Sequence, residues 1–159
     1  MGTYRPTRNI KASIIQYLEA ELASAWSNVN VEEDFARVYT ISLPVICITT
    51  GVSSHPKAEI GSDSTVRETS ILIDIFATSN VQSSDLTDFL VEKLKGGCVY
   101  YNYTITDGAV SSKIADGRIR VKDIDVTPLN LTTPRNTLDP YDRYRNLITL
   151  SVGLGKIEI

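Results

Sequence analysis

Apolar side chains recur at helical spacing near the start of the chain. Ile10, Ile14, Tyr17, Leu18, Leu22 and Ala25 share one side of a helical wheel, with Lys11, Gln16, Glu19 and Glu21 on the others, so the spacing predicts an amphipathic helix over 10–25. Thr7 or Asn9, just after Pro6, is its expected cap. The pattern lapses over 27–34. From Arg37 to Thr49 it becomes alternation, placing Tyr39, Ile41, Leu43, Val45 and Cys47 on one face of an extended strand. Pro44 cannot donate to a ladder, so an edge or a bulge is expected there. The Ser- and Gly-rich stretch 51–65 reads as a long, mobile hairpin loop.

The strongest strand pattern runs from Val66 to Thr78, with Ile71, Ile73 and Ile75 alternating against Leu72, Asp74 and Phe76. After a turn over 79–84, a second helix is expected from Asp85, with Leu86, Phe89, Leu90 and Leu94 inward and Gly96-Gly97 as its stop. Cys98 to Thr106 is a tyrosine-rich strand ending in the Asp107-Gly108 turn. In Arg118 to Val126, Ile119 and Val121 share one parity and Ile124 and Val126 the other, which predicts a bulge near Lys122-Asp123. Pro128, Pro134 and Pro140 mark 127–142 as a second long loop over the surface. Tyr144 to Leu154 closes the fold, with Ile148, Leu150, Val152 and Leu154 inward. Ile157 and Ile159 follow as an apolar tail. The expected fold class is α+β: one domain over 1–159, with a mixed, mainly antiparallel sheet and two helices packed on one face.

Composition supports the strand-rich reading, because Ile, Val and Thr together make up 46 of the 159 residues while Ala contributes only 9. Hydrophobic residues at 42% and charged residues at 22% are ordinary values for a folded globular chain. A net charge of -3 has the wrong sign for a protein whose main work is gripping phosphates. The N-terminus lacks the apolar run of a leader, and no apolar stretch reaches the roughly 18 residues of a membrane span, so synthesis in the cytosol is expected. Cys47 and Cys98 sit in apolar runs with no CxxC, and read as small core hydrophobes, a disulfide being the alternative.

Phosphate-loop, nucleophile-elbow and zinc-helix motifs are absent, and no catalytic, metal-binding or cofactor-binding set emerges. His55, the single histidine, lies beside Pro56 and Lys57 in a polar loop and reads as solvated. Glu32-Glu33-Asp34 reads as a solvated acidic turn, since consecutive carboxylates point apart and the spacing of a calcium loop is missing. Asp74 interrupts an apolar strand. A position on a face open to water or to a neighbouring subunit is expected for it, a catalytic carboxylate being the alternative. Arg118, Arg120 and Lys122 alternate as a basic stripe, directed at a subunit contact or solvent. Arg135, Tyr141, Arg143, Tyr144 and Arg145 mix guanidinium and aromatic groups in the manner of interface cores, docking on their own domain being the other reading.

The helix over 10–25, the Ile71-Leu72-Ile73-Asp74-Ile75-Phe76 strand followed by a helix, and the closing strand Tyr144-Arg145-Asn146-Leu147-Ile148-Thr149-Leu150-Ser151-Val152 resemble the small tail terminator and neck proteins of tailed bacteriophages. The resemblance rests on element order, size and texture. It implies a structural, non-enzymatic virion protein of the tail and neck, assembled in the host bacterial cytoplasm. Copies would form a homo-oligomeric ring, usually hexameric, that caps the tail tube and joins it to the head connector. The implied partners are further copies of the chain, the tail tube protein and the head connector or other neck proteins. DNA would pass through the channel without specific binding, and no cofactor or membrane is involved. His55, Pro56, Lys57, Arg118, Arg120, Arg135, Tyr141, Arg143, Ile157 and Ile159 are the interface candidates. Competing readings are another neck, sheath-associated or baseplate component, a small hydrolase using Asp74 with Glu32-Glu33-Asp34, and a ligand-binding module built on Tyr100 to Tyr103.

Overall fold

The computed structural model describes residues 2–3, 6–129, 134 and 137–158. In chain order the elements are β1 (Gly2–Thr3), α1 (Pro6–Ala25), β2 (Asn30–Glu32), a 3-10 helix (Phe35–Thr40), β3 (Val45–Ser54), β4 (Thr65–Phe76), α2 (Asn80–Leu94), β5 (Cys98–Thr106), β6 (Ala109–Pro128) and β7 (Arg145–Glu158). The strands form a seven-stranded sheet in the order β1-β5-β6-β7-β4-β3-β2. Every neighbouring pair is antiparallel except β2 with β3. The chain is a single α+β domain with a mixed, mainly antiparallel sheet.

Both helices bury their apolar stripes on one face of this sheet. Ile10, Ile14, Leu18 and Leu22 of α1 and Leu86, Leu90 and Leu94 of α2 meet Ile46, Ile48, Ile71, Ile73, Ile75, Ile148, Leu150 and Val152 in one core. Each fully buried aliphatic side chain contributes about 1.5–3 kcal/mol, which makes this layer the main source of stability. A smaller cluster of Val38, Val45, Cys47 and Phe76 covers one end of the other face, with Ile41, Leu43 and Tyr141 packed against it. Alternation along β3 and β4 therefore feeds two cores, one on each side of the sheet.

Several boundaries differ from the sequence expectation. The strand expected over 37–49 begins only at Val45, because Phe35, Val38 and Ile41 repeat every three residues and wind into a 3-10 helix. Asp34 caps that helix, its side chain accepting from Ala36 N. Pro44 precedes β3 in a cis peptide, and its carbonyl accepts from Asn30 N where β2 joins the sheet edge. The hairpin loop contracts from 51–65 to 55–64, because Ser53 and Thr69 hydroxyls pair across the ladder and carry β3 to Ser54. Helix α2 starts at Asn80 rather than Asp85. Ser79 caps it by accepting from Gln82 N, and the Gln82 amide oxygen reaches back to Thr78 N. Strand β6 begins at Ala109 rather than Arg118, since β5 templates its first half and β7 its second. It reaches Pro128, which shortens the loop expected over 127–142. The bulge appears between Val121 and Asp123, as the parity change required.

Neither proposed cap of α1 is one. The helix starts at Pro6, the Thr7 hydroxyl accepts from Arg67, and Asn9 is buried, donating to Tyr100 Oη and Asn102 Oδ1. Gly97 ends the α2 turn with φ +69, and a Cβ there would lie 2.1 Å from the Ile119 carbonyl oxygen. Only glycine lets the chain pass so close under β6.

Candidate interaction surfaces

Two strand arms leave the helix-covered core. The first joins the β3–β4 hairpin to the end of β7, where Val66 pairs with Ile157 and Thr65 with Glu158. His55, Pro56 and Lys57 lie exposed at its tip, together with Ile60, which is fully exposed. Val52 is 79% and Ile157 62% exposed on the same arm. Ile157 is a strand residue rather than part of a loose tail. Hydrogen bonds from Val66 N to Pro56 O and from Ala58 N to Ser64 O narrow the tip.

Charged groups brace this arm. Arg67 holds Glu158 through a fork, Nε to Oε1 at 2.8 Å and Nη2 to Oε2 at 3.1 Å, while Nη1 donates to Thr7 Oγ1 at 2.7 Å. The Arg67 hydrogen bonds hold the Glu158 carboxyl below its ordinary range. Lys122, from β6, pairs with Glu68 on β4. It crosses Gly153, where a Cβ would stand 3.3 Å from Lys122 Cε.

The second arm is the β5–β6 hairpin, turned by Asp107 (φ 52) and Gly108 (φ 79). It exposes Val110 and Ile114. Lys156 ties its base to β7 by pairing with Asp116 at 2.6 Å, and Asn102 donates to the same carboxylate. The hydrogen bonds from Lys156 and then Asn102 lower the Asp116 pKa.

The remaining candidates fall elsewhere. Arg118 donates to Gly96 O beside a cleft between α1, β5 and β6, whereas Arg120 lies over Gly155 and Lys122 is engaged by Glu68, so the three do not act as one uniform stripe. Arg143 Nε donates to Leu138 O and borders a hollow of about 300 Å3 at the start of α2. Tyr141 Oη donates to Ile41 O, so this residue docks on its own domain. Arg135 and Ile159 lie outside the described residues.

Asp74 is not on an open face. It is 7% exposed and accepts from Arg145 Nε at 3.1 Å and Nη2 at 2.8 Å. The Arg145 guanidinium packs against both the Phe35 and Phe76 rings, 5.0 and 4.8 Å from their centroids, and also reaches Asp142 at 3.5 Å. Tyr39 Oη donates to Asp142, and burial followed by this hydrogen bond raises the Tyr39 pKa. The network fastens the 3-10 helix and the turn before β7 onto the back of the sheet. Register makes Asp74 and Arg145 diagonal neighbours, because Phe76 faces Arg145. Spacing within one strand could not reveal that pairing.

The acidic turn is likewise occupied locally. Glu32 Oε1 accepts from the amides of Glu33 and Asp34, and Asp34 caps the 3-10 helix. No cluster of three or more metal-ligating side chains occurs among the described residues. Cys47 and Cys98 are free, buried thiols, pushed up to about 11 chiefly by burial. No helix among the described residues is long and apolar enough to cross a membrane. No known family and no curated protein matches the chain.

Proposed function

We propose that this protein is a structural component of a bacteriophage virion whose copies form a ring, capping the tail tube and joining it to the head connector. The observation that carries this reading is the pair of braced strand arms presenting Val52, Ile60, Ile157, Val110 and Ile114 to solvent. Exposed apolar groups on long hairpins favour contacts with other chains, and hairpins that offer edges are well suited to neighbouring subunits. A ring needs two different patches on each copy, one meeting the other on the next copy, and two arms on separate parts of the sheet satisfy that requirement. A net charge of -3 suits a channel through which DNA slides without being held.

Incubation of the protein with purified tail tubes, followed by negative-stain imaging and sedimentation, tests the reading. Rings at tube ends are expected from the wild type. Ile157→Ser and Ile60→Ser, at exposed positions, are expected to lower occupancy of tube ends while leaving the melting temperature within about 2 °C, the range for surface changes. A wild-type chain that neither forms rings nor caps tubes overturns the reading, and binding at the baseplate end instead assigns it to another part of the tail.

A further inference from the structure

Between α1, β5 and β6 lies a cleft of about 420 Å3 bordered by Gln16, Tyr17, Tyr101, Lys113 and Arg118. Three of its side chains, Gln16, Lys113 and Arg118, offer donors. Gln16 Oε1 accepts from both Tyr103 Oη at 2.9 Å and Lys113 Nζ at 2.8 Å, which leaves the Gln16 amide NH2 to donate. Lys113 stands 4.3 Å from the Tyr101 ring centroid, and Arg118 uses Nη2 on Gly96 O, keeping further N–H groups available. Lys11, Lys57, Lys93, Lys95, Lys122 and Lys156 all pair with carboxylates. Among the described residues Lys113 is the one lysine that does not, and Arg118 has no carboxylate partner either. Two cations and an amide therefore converge on a cleft with no anion in it, in a chain that carries an excess of acid.

The complementary surface lies on the same chain at the far end of the strand order. The cleft adjoins β5, next to the β1 edge, and the acidic run Glu32-Glu33-Asp34 begins at the last residue of β2, at the opposite edge. Glu32 and Asp34 are held by local backbone amides, while Glu33 projects with its side chain 66% exposed and, among the described residues, Lys11 at 3.6 Å as its one ion partner. We infer that the cleft receives the Glu33 carboxylate of a second copy, with Lys113 and Arg118 as its ion partners. Because donor and acceptor patches differ and each copy carries one of each, the contact is heterologous, the kind that builds a ring when the rotation between copies closes. It deepens the ring reading, and rests on that reading only for the closure of the assembly.

Charge reversal tests the contact in the full-length chain. Lys113→Glu and Glu33→Lys are prepared singly and combined, and self-association is read by sedimentation at protein concentrations up to about 1 mM in low salt. Near-UV circular dichroism confirms that each variant is folded. Each single reversal is expected to weaken association about tenfold or more, and the combined swap to recover it to within about threefold of wild type. Raising the salt is expected to weaken wild type and swap alike. Association unchanged by the single reversals, or lost equally in the swap, overturns the contact and leaves the ring reading to other surfaces. A wild type that stays monomeric throughout also overturns it. Tube capping by wild type is scored separately, so a salt-dependent oligomer that ignores tail tubes would sustain the contact and end the ring-at-the-tail reading.

Discussion

Replacing Arg145 by methionine keeps an unbranched apolar side chain beside Phe35 and Phe76 but removes the charge that compensates Asp74. The carboxylate would keep its place at 7% exposure with both arginine hydrogen bonds gone. Breaking a buried pair from one side costs about 3–5 kcal/mol, because the remaining charge stays desolvated. The low end applies here, since Arg145 is itself 19% exposed and water can reach the gap. Unfolding entropy of about 2.1 cal/mol/K per residue amounts to about 0.33 kcal/mol/K for 159 residues, so 3 kcal/mol lowers Tm by about 9 °C. Asp74→Asn leaves the cation with Asp142 and two rings and is expected to cost less, about 2 kcal/mol. The double variant strands no charge. It should therefore cost less than Arg145→Met alone, about 2 kcal/mol, giving a coupling energy near 3 kcal/mol. Urea denaturation of the four proteins measures the cycle, and hydrogen exchange over 35–41 and 138–144 should speed up most in Arg145→Met. Additive single effects, or a cost below about 1 kcal/mol for Arg145→Met, would refute the assignment of this pair as the clamp on the back of the sheet.

Gly97→Ala places a methyl 2.1 Å from the Ile119 carbonyl oxygen at a left-handed φ, and about 2–4 kcal/mol of destabilisation is expected from strain and displacement of β6. Gly96→Ala, with open space around it, should stay within about 0.5 kcal/mol, and equal Tm values for the two variants would count against the close passage. The Glu158 carboxyl is held below its ordinary 4.5 by Arg67, so its stabilisation is full above that pH and is lost as pH falls through the lower folded value. The wild type should therefore lose about 0.5–1 kcal/mol more than Glu158→Gln between pH 6 and strong acid, and parallel pH profiles would show that the fork contributes nothing.

Elements whose apolar residues kept one period over many positions were legible in the sequence. The α1 stripe from Ile10 to Leu22, the Ile71-Ile73-Ile75 alternation and the parity change before Ile124 each appear in the structure as read, whereas Ala25, at the end of the stripe, is exposed. The misreadings occurred where a local signal was decided by a distant partner. Serines at 53 and 54 look like loop residues until β4 supplies a ladder, and 109–117 has no pattern of its own until β5 pairs with it. Tyr39, Ile41 and Leu43 alternate in sequence, yet the three-residue period of Phe35, Val38 and Ile41 won because Asp34 could cap the turn. Of the surface candidates, His55, Pro56, Lys57 and Ile157 are exposed, as polar-loop and chain-end positions suggest. Lys113 was missed because its isolation from carboxylates is a fact about three-dimensional neighbours.

The bracing of the arms bears on what they are for. Beyond the Thr69–Val152 pair, β4 and β7 bury little, and an exposed ribbon of that kind frays unless something ties it. Arg67 with Glu158 and Thr7, Lys122 with Glu68, and Lys156 with Asp116 tie it at three levels and link it to α1 and β6. Half-exposed ion pairs add little stability, so their effect is mainly geometric: they fix the course of β4 and β7 on either side of Ile157. A surface already fixed loses less conformational freedom when another chain covers it, so the same apolar area binds more tightly than it would on a loose hairpin. Most of the buried apolar side chains belong to the helix-covered core, while the staples hold the arms in place by polar contacts alone.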